Sequence, residues 1–270
     1  MENVKALLER EMAARSSTSL AGRPGGSAAK QYECETCKDE TGYFVDGIDS
    51  YGKSVFVWRE CSCAQWRIAR RLLKSSHMSE ELQQLAFANF VKDGRPEAVV
   101  GAYECAFDYY RTFDQRRSNR QNGIAMLGVP GVGKTHLLAA IANSLVKKKG
   151  IHVHYFPHVE GFEDIRSDLD KAEEKMRIMK QADVLWWDDL FKGRETPTPY
   201  QLDCIFNVLN HRYLHNLPIM VSSERDIDTI CSMDMGIGSR IYEMTRDHIA
   251  ILMPTDKVGV KELNYRLRGA

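Results

Sequence analysis

At 270 residues the chain is long enough for one main domain and a small second one. Its 37 basic and 37 acidic residues give a formal net charge of zero, so any contact with nucleic acid must come from a local basic patch. No run approaches the roughly 18 continuous apolar residues that span a bilayer, and the charged N-terminus lacks the apolar core of a signal peptide. We therefore expect a cytoplasmic protein with no membrane partner.

Residues 1–30 are predicted to form a short amphipathic helix followed by a flexible linker. Val4, Leu7 and Met12 recur at helical spacing within a charged segment. Residues 16–29 are rich in Ser, Gly and Ala, a composition that buries too little apolar surface to fold by itself.

Four of the seven cysteines form two pairs, which are Cys34 with Cys37 and Cys61 with Cys63. Two β-like runs between the pairs, at 43–45 and 55–58, predict a hairpin. Four thiolates brought together by two tight turns match a closed tetrahedral Zn²⁺ site, which would be structural. Thiols without metal are the alternative, because the single-residue spacing of the second pair is less typical. We assign residues 31–75 to a zinc-binding domain.

Residues 76–122 are predicted to be a connecting helical segment, and from residue 123 onward the pattern becomes regular. Apolar runs alternate there with helical segments, at 124–127, 151–156, 184–187, 218–221 and 249–252. Such alternation predicts an α/β fold, a five-stranded parallel sheet flanked by helices, over residues 123–270. One helix is predicted along the apolar stripe from Phe162 to Met179.

The first predicted core strand leads directly into a glycine-rich turn and a helix. The turn and helix start read Gly128, Val129, Pro130, Gly131, Val132, Gly133, Lys134, Thr135 and His136. Glycines let backbone N–H groups surround phosphate oxygens, and the positive end of the helix dipole faces the same charge. Lys134 would reach the β- and γ-phosphates, and Thr135 would give its hydroxyl to Mg²⁺. A chance glycine turn is the alternative, but the flanking strand and helix favour a nucleoside triphosphate site.

The predicted strand at 184–187 ends in two carboxylates. Asp188 is the candidate that holds Mg²⁺ through water. Asp189 lies where a general base would orient the attacking water. The alternative is an Asp pair that merely begins a loop.

Together these motifs resemble the AAA+ P-loop ATPases, and within them the DnaC/DnaI family of bacterial replicative-helicase loaders, from residue 85 to residue 268. The segments that carry the resemblance are Leu85-Ala-Phe-Ala-Asn89-Phe90, Gly128 to Leu138, Leu185 to Leu190, Pro218 to Glu224, Gly238 to Glu243 and Asn264 to Arg268. The resemblance implies ATP as the nucleotide and self-association through the ATP site. It also implies delivery of a DnaB-type hexameric helicase onto single-stranded DNA in replication initiation.

The resemblance implies further roles. Ser223 or Glu224 falls at the polar sensor of the γ-phosphate, where family members often have Asn. Arg240 matches the arginine finger that enters a neighbouring subunit's site, and a solvent-exposed helix arginine is its alternative. Arg266 is a candidate second sensor. Asp189 replaces the usual Glu, so we expect slow hydrolysis, with ATP acting mainly as a switch.

Partner surfaces are less clearly marked in the sequence. Some loaders carry a cysteine-bearing N-terminal domain that docks on the helicase, which the resemblance implies for residues 31–75. Two basic runs are candidate DNA contacts, although most such runs are solvated faces: Arg67, Arg70, Arg71 and Lys74, and then Arg111, Arg116, Arg117 and Arg120.

Three rival functions remain. An IstB-type transposition helper ATPase shares almost the same core, and the cysteine module argues against it. A non-hydrolysing zinc adaptor would bind protein through residues 1–75 and use ATP as a structural switch. A small-molecule kinase is disfavoured, because no acceptor-binding or lid motif is found.

Overall fold

The computed structural model of the chain describes residues 32–267, apart from the side chain of Leu169. The predicted N-terminal helix and linker, and Arg268, lie outside the described residues. The chain divides into two compact units, one ending at Arg59 and the other beginning at Glu60, and each is described by itself. The domain boundaries given above remain predictions. Within residues 32–267, no helix has both the length and the apolar character needed to cross a bilayer.

A two-stranded hairpin dominates the first unit, as the sequence predicts. Its strands are β1 (Gly42–Ile48) and β2 (Ser54–Glu60). The carboxylate of Asp49 forms the turn, because it accepts hydrogen bonds from the backbone N–H groups of Tyr51 and Lys53, both at 2.9 Å.

The second unit contains the predicted five-stranded parallel sheet. Its strands are β3 (Ile124–Gly128), β4 (Val153–Pro157), β5 (Val184–Leu190), β6 (Ile219–Ser223) and β7 (Ile249–Leu252). The strand order is β4-β5-β6-β3-β7, and every neighbouring pair is parallel. The predicted fold class is therefore confirmed.

Helices surround this sheet. They are α1 (Cys63–Ser75), α2 (Glu80–Gln84), α3 (Glu97–Arg116), α4 (Lys134–Ser144), α5 (His158–Ser167), α6 (Ala172–Gln181), α7 (Pro199–Leu214), α8 (Ile227–Met233), α9 (Met235–Thr245) and α10 (Val260–Leu263). A π-helical turn, Leu145–Lys149, extends α4.

The three central strands, β5, β6 and β3, are buried on both faces, which explains why they are mostly apolar. Successive residues of β5 point to opposite sides, so Trp186 and Trp187 belong to two different cores and are almost completely buried. Helices α3 and α4 cover the Trp186 face, and α5 to α9 cover the Trp187 face. This arrangement leaves the carboxyl ends of the strands as the edge where polar residues collect.

The prediction of one helix from Phe162 to Met179 is wrong. Two helices, α5 and α6, divide this stretch at Asp168, whose backbone φ of −142° and ψ of 81° is not helical. The Asp168 carboxylate accepts a hydrogen bond from the N–H of Lys171 at 3.3 Å and pairs with its Nζ at 2.7 Å. The aspartate therefore starts a new turn, because its side chain competes with the helix for backbone donors.

Arg212, in α7, is fully buried and ties separate elements together. Its guanidinium donates to the carbonyl oxygens of Met179, Lys180 and Ala182 at 2.8, 3.2 and 2.9 Å, and to that of Pro218 at 2.6 Å. One side chain thus closes the end of α6 and fixes the start of β6. Burial lowers the pKa of Arg212 to about 9, which still leaves the group charged at neutral pH.

We predict that Arg212→Met lowers the free energy of unfolding by about 3 kcal/mol, because buried carbonyl groups lose a charged donor. Urea unfolding followed by circular dichroism measures this change. Arg177→Met is the matched control, because Arg177 is exposed and pairs only with groups at the surface of α6. Equal unfolding midpoints for the two variants would contradict the assignment.

Candidate functional site

The predicted phosphate loop connects β3 to α4, and its last glycine is required by the backbone. Gly133 caps α4 with a φ of 108°, a conformation that favours glycine. A Cβ atom at this position would lie 2.7 Å from Cε2 of Phe90. Any side chain at residue 133 would therefore clash with the ring that packs over the loop.

Lys134 folds back over the loop that precedes it. Its Nζ donates to the carbonyl oxygens of Gly128 and Val129 at 2.7 and 3.1 Å, and the side chain is buried. Burial lowers the pKa of the Lys134 ammonium, and the charges of Asp189 and Glu224 oppose that shift. The ammonium is thus held where phosphate oxygens could replace the two carbonyl groups.

Two distant segments hold two further loop carbonyls, those of Gly131 and Val132. The N–H of Tyr265 donates to the oxygen of Gly131 at 2.9 Å, and the Arg95 guanidinium donates to the oxygen of Val132 at 3.1 Å. Because the carbonyl groups are tied to the protein, the amide hydrogens are the side of the loop that remains for phosphate oxygens.

Asp188 lies at the end of β5 and receives three side-chain hydroxyl donors. Ser222 Oγ donates at 2.5 Å, Thr135 Oγ1 lies 3.2 Å from the nearer carboxylate oxygen, and the Tyr155 hydroxyl lies at 3.3 Å. Burial raises the pKa of Asp188 above its usual value, and these hydroxyl donors oppose the shift. A hydroxyl and a carboxylate this close together are donors that suit Mg²⁺, so Thr135 and Asp188 fit the predicted metal site.

Asp189 lies in an irregularity of the sheet that turns its side chain away from Asp188. The pairing of β5 with β6 shifts register between Trp187 and Leu190, and Asp189 adopts a positive φ of 53°. Its backbone N–H donates to Ser222 Oγ at 2.7 Å, and its carboxylate lies 2.8 Å from Lys192 Nζ. The carboxylates of the two adjacent aspartates therefore contact different groups.

A cleft of about 510 Å³ contains most of the predicted nucleotide-site residues. Its lining includes Pro130, Gly131, Gly133, Lys134, Thr135, His136, Asp189 and Glu224. Arg266 also lines this cleft. His136 is fixed by its Nε2 atom, which lies 3.0 Å from Asn89 Oδ1. The volume falls within the usual range of small-ligand sites.

Other predicted residues lie away from the cleft lining. Gly128 and Val129 are not among the residues that line the cleft, and the Val132 side chain is buried in the core. Ser223 is also buried, and its hydroxyl donates to the carbonyl oxygen of Leu190 at 2.7 Å. Of the two sensor candidates, Glu224 therefore faces the cleft and Ser223 supports the sheet.

Arg240, the predicted arginine finger, is not brought to this chain's own cleft. Its Nε donates to Asn210 Oδ1 at 3.1 Å and another guanidinium nitrogen donates to the Gly236 carbonyl at 2.9 Å. The guanidinium also lies 4.9 Å from the centre of the Phe206 ring. A finger acts on a neighbouring subunit's site, so this position within one chain leaves the assignment a prediction.

Sequence reasoning missed three residues that shape the site, Ser222, Lys192 and Arg95. A serine at the end of a buried apolar strand was the available signal for Ser222. Lys192 lies three residues after Asp189, a spacing that allows an ion pair across a turn. Arg95 had no local signal, because its partners Val132 and Leu263 are distant in sequence.

The second basic run is engaged with its own chain. Arg111 pairs with Asp108 at 3.1 Å and Arg116 with Asp247 at 3.4 Å. Arg120 donates to the Tyr213 carbonyl and lies over the Tyr213 ring. These contacts engage three of the run's four arginines within the chain, Arg117 being the exception, so they add no support for a DNA contact here.

The four predicted metal ligands are brought together. The sulfur atoms of Cys34, Cys37, Cys61 and Cys63 all lie within 4.8 Å of one another. Zn–S bonds of about 2.3 Å place the sulfur atoms of a tetrahedral site roughly 3.8 Å apart, so a small contraction completes the geometry. The donor set and its clustering therefore fit Zn²⁺.

The loop that carries the first cysteine pair is organised around Asp39. Its carboxylate accepts the N–H of Cys34 at 2.9 Å and that of Glu33 at 3.3 Å, and Asp39 itself has a φ of 71°. In the second pair, the N–H of Ala64 donates to the Cys61 carbonyl at 2.9 Å and closes a tight turn. Each cysteine pair is thus presented by a turn.

A family model described as the bacterial DnaA ATPase domain matches residues 83–244. The chain belongs to this family. Similar proteins include the phage-like element PBSX protein XkdC of Bacillus subtilis (strain 168), which is 43% identical over 255 residues, 93% of this chain and 92% of that protein. The replicative helicase loader DnaI of the same strain is 29% identical over 207 residues, 73% of this chain and 64% of that protein.

A crystal structure of the DnaC helicase loader has the same fold as this DnaA-family domain. It matches with a TM-score of 0.55 at 20% identity, covering 64% of this chain and 99% of that one. The resemblance to helicase loaders that the motifs indicated is therefore confirmed, as similarity to the sequence of DnaI and to the fold of DnaC.

We predict that Asp188→Asn lowers the affinity for ATP in the presence of Mg²⁺ by about tenfold, because an amide cannot replace a carboxylate beside a divalent cation. Most of the difference in affinity between Mg²⁺ and EDTA should therefore disappear. Calorimetric titration with ATP, in Mg²⁺ and in EDTA, measures this. Asp183→Asn is the control, because Asp183 precedes the opposite end of β5 and accepts a hydrogen bond from the N–H of His152. An unchanged Mg²⁺ advantage in Asp188→Asn would refute the metal role.

We predict that zinc analysis of the full chain finds one ion, and that strong chelation removes it with loss of structure in residues 31–75. Metal binding supplies folding free energy to a module too small for a core of its own. Circular dichroism and ATP titration before and after chelation measure the two effects. An unchanged spectrum after metal removal, or lost ATP affinity, would count against a structural zinc module.

Proposed function

We propose that this chain is an ATP-dependent loader that delivers a DnaB-type hexameric helicase onto single-stranded DNA. One observation carries the proposal, namely that a Thr135–Asp188 pair beside a phosphate loop occurs on the fold of the helicase loaders. The similarity to the replicative helicase loader DnaI supports the partner class.

The ATP site is proposed to work as a slow, Mg²⁺-dependent switch. Lys134 and the loop amides would bind the phosphates, and Thr135 and Asp188 would hold Mg²⁺, which offsets the charge of the β- and γ-phosphates. Asp189 would orient the attacking water. Its side chain is shorter than the usual Glu and is already paired with Lys192, so we expect hydrolysis to be slow.

The hairpin of the first unit is the proposed surface for the helicase. Phe44, Tyr51 and Phe56 are 64%, 87% and 77% exposed. Exposed aromatic side chains in such numbers are typical of protein interfaces. Zinc held by the cysteine cluster would stabilise this hairpin, and ATP bound by the second unit would control assembly with further copies through Arg240.

A zinc adaptor that only binds protein is the second candidate, and the same exposed aromatic residues favour it. The two candidates differ in what ATP does. A loader's ATP turnover responds to single-stranded DNA and to the helicase, whereas an adaptor's does not.

We predict that the full chain captures its cognate replicative helicase in a pull-down, and that ATP changes the captured amount. Phe56→Ser should weaken capture about tenfold or more, because an aromatic anchor is lost from the interface. Leu214→Ser is the control, since Leu214 is 62% exposed but lies in α7 of the second unit.

The variant Lys134→Ala tests the effect of ATP separately from binding of the helicase. This variant should retain the helicase and lose the effect of ATP, because the phosphate contact is removed. Failure of the wild-type chain to bind the helicase with or without ATP would exclude the loader function. Capture that never responds to ATP would favour the adaptor.

A further inference from the structure

Lys192 connects the ends of two neighbouring strands through one ammonium group. Its Nζ lies 2.8 Å from Asp189 Oδ2 and 3.1 Å from Glu224 Oε1. Asp189 lies near the end of β5 and Glu224 directly follows β6. The lysine therefore holds together two carboxylates that would otherwise repel each other.

A tight backbone turn brings Lys192 next to Asp189. Asp189 and Phe191 have positive φ angles of 53° and 65°, and the N–H of Lys192 donates to the Asp189 carbonyl at 2.9 Å. The Phe191 side chain is buried and anchors the turn. Two positive φ angles within three residues are costly for residues other than glycine, so this turn is more than a chance surface contact.

The bridge lies in the same cleft as Lys134. Asp189, Lys192 and Glu224 line the same cleft as the phosphate loop. The charges that act on the Lys134 ammonium include all three of these groups. Lys134 is the group expected to reach the β- and γ-phosphates, so the bridge stands where the last phosphate of a triphosphate would lie.

Without the Lys192 ammonium, the carboxylates of Asp189 and Glu224 would repel the terminal phosphate of a nucleotide more than an inner phosphate. We propose that Lys192 is a positioning residue, which holds Asp189 against Glu224 and offsets their charge so that the cleft accepts a triphosphate. The inference rests on the proposed ATP site and adds to it a basis for preferring ATP over ADP.

Two nucleotides test this inference without turnover. Affinities for adenylyl imidodiphosphate and for ADP, both with Mg²⁺, are measured by calorimetry on the full chain. Lys192→Met should weaken binding of the triphosphate analogue about tenfold and change ADP binding less than about twofold, because the repulsion falls with distance. Lys192→Gln is a second variant if the methionine variant does not fold, and the same result is expected.

Three further variants separate charge from packing. Lys192→Arg keeps the cation and should retain affinity for the analogue. The triple variant Lys192→Met, Asp189→Asn, Glu224→Gln should recover it, because the repelling carboxylates are gone. Lys171→Met is the matched control, since Lys171 also pairs with an aspartate three residues before it, at 2.7 Å and outside the cleft.

Each of the other possible results would contradict a specific part of the proposal. If the wild-type chain binds neither nucleotide, the ATP site and this inference both fail. If it binds the analogue and Lys192→Met and Lys192→Gln bind it equally well, only the inference fails. Equal losses for both nucleotides, or no recovery in the triple variant, would also refute it, since the lysine would then act through packing.

Discussion

The side-chain carboxylate of Asp188 is the point at which the strands of the sheet meet the phosphate loop. It accepts hydroxyl hydrogens from Thr135 at the start of α4, from Ser222 on β6 and from Tyr155 on β4. Parallel strands end at the same edge, so three elements that are distant in sequence deliver their polar groups to one place. A carboxylate buried there requires these donors, because burial without hydrogen bonds is costly.

Ser222 extends this arrangement to the second aspartate. Its oxygen donates to Asp188 and accepts the N–H of Asp189, so one hydroxyl holds both the Asp188 carboxylate and the Asp189 backbone. The shifted register between β5 and β6 makes room for this contact. As a consequence, Asp188 faces Thr135 while Asp189 faces Lys192, so two adjacent aspartates lie in separate surroundings.

The parts of this architecture that the sequence predicts are those with a local pattern. Alternating apolar runs predict the parallel sheet, and the glycine spacing before Lys134 predicts the loop, because each depends on residues near one another in the chain. The break at Asp168 was missed because the apolar stripe continues through it, and only the aspartate's bond to Lys171 reveals the new turn. Lys192 and Arg95 were missed because their roles depend on how separate segments pack.

The loop also depends on residues beyond the part that the DnaA family model matches. That match ends at residue 244, whereas the N–H of Tyr265 donates to the Gly131 carbonyl, and the Asn264 side chain occupies the space that a Cβ of Gly131 would need. On the other side of the loop, Arg95 donates to Val132 and to the carbonyl of Leu263 at 2.8 Å, which joins the two segments. The last described helical turns thus contact the phosphate loop directly, through Asn264 and Tyr265. The C-terminal segment therefore helps to fix the loop carbonyls, and with them the direction of the loop amides.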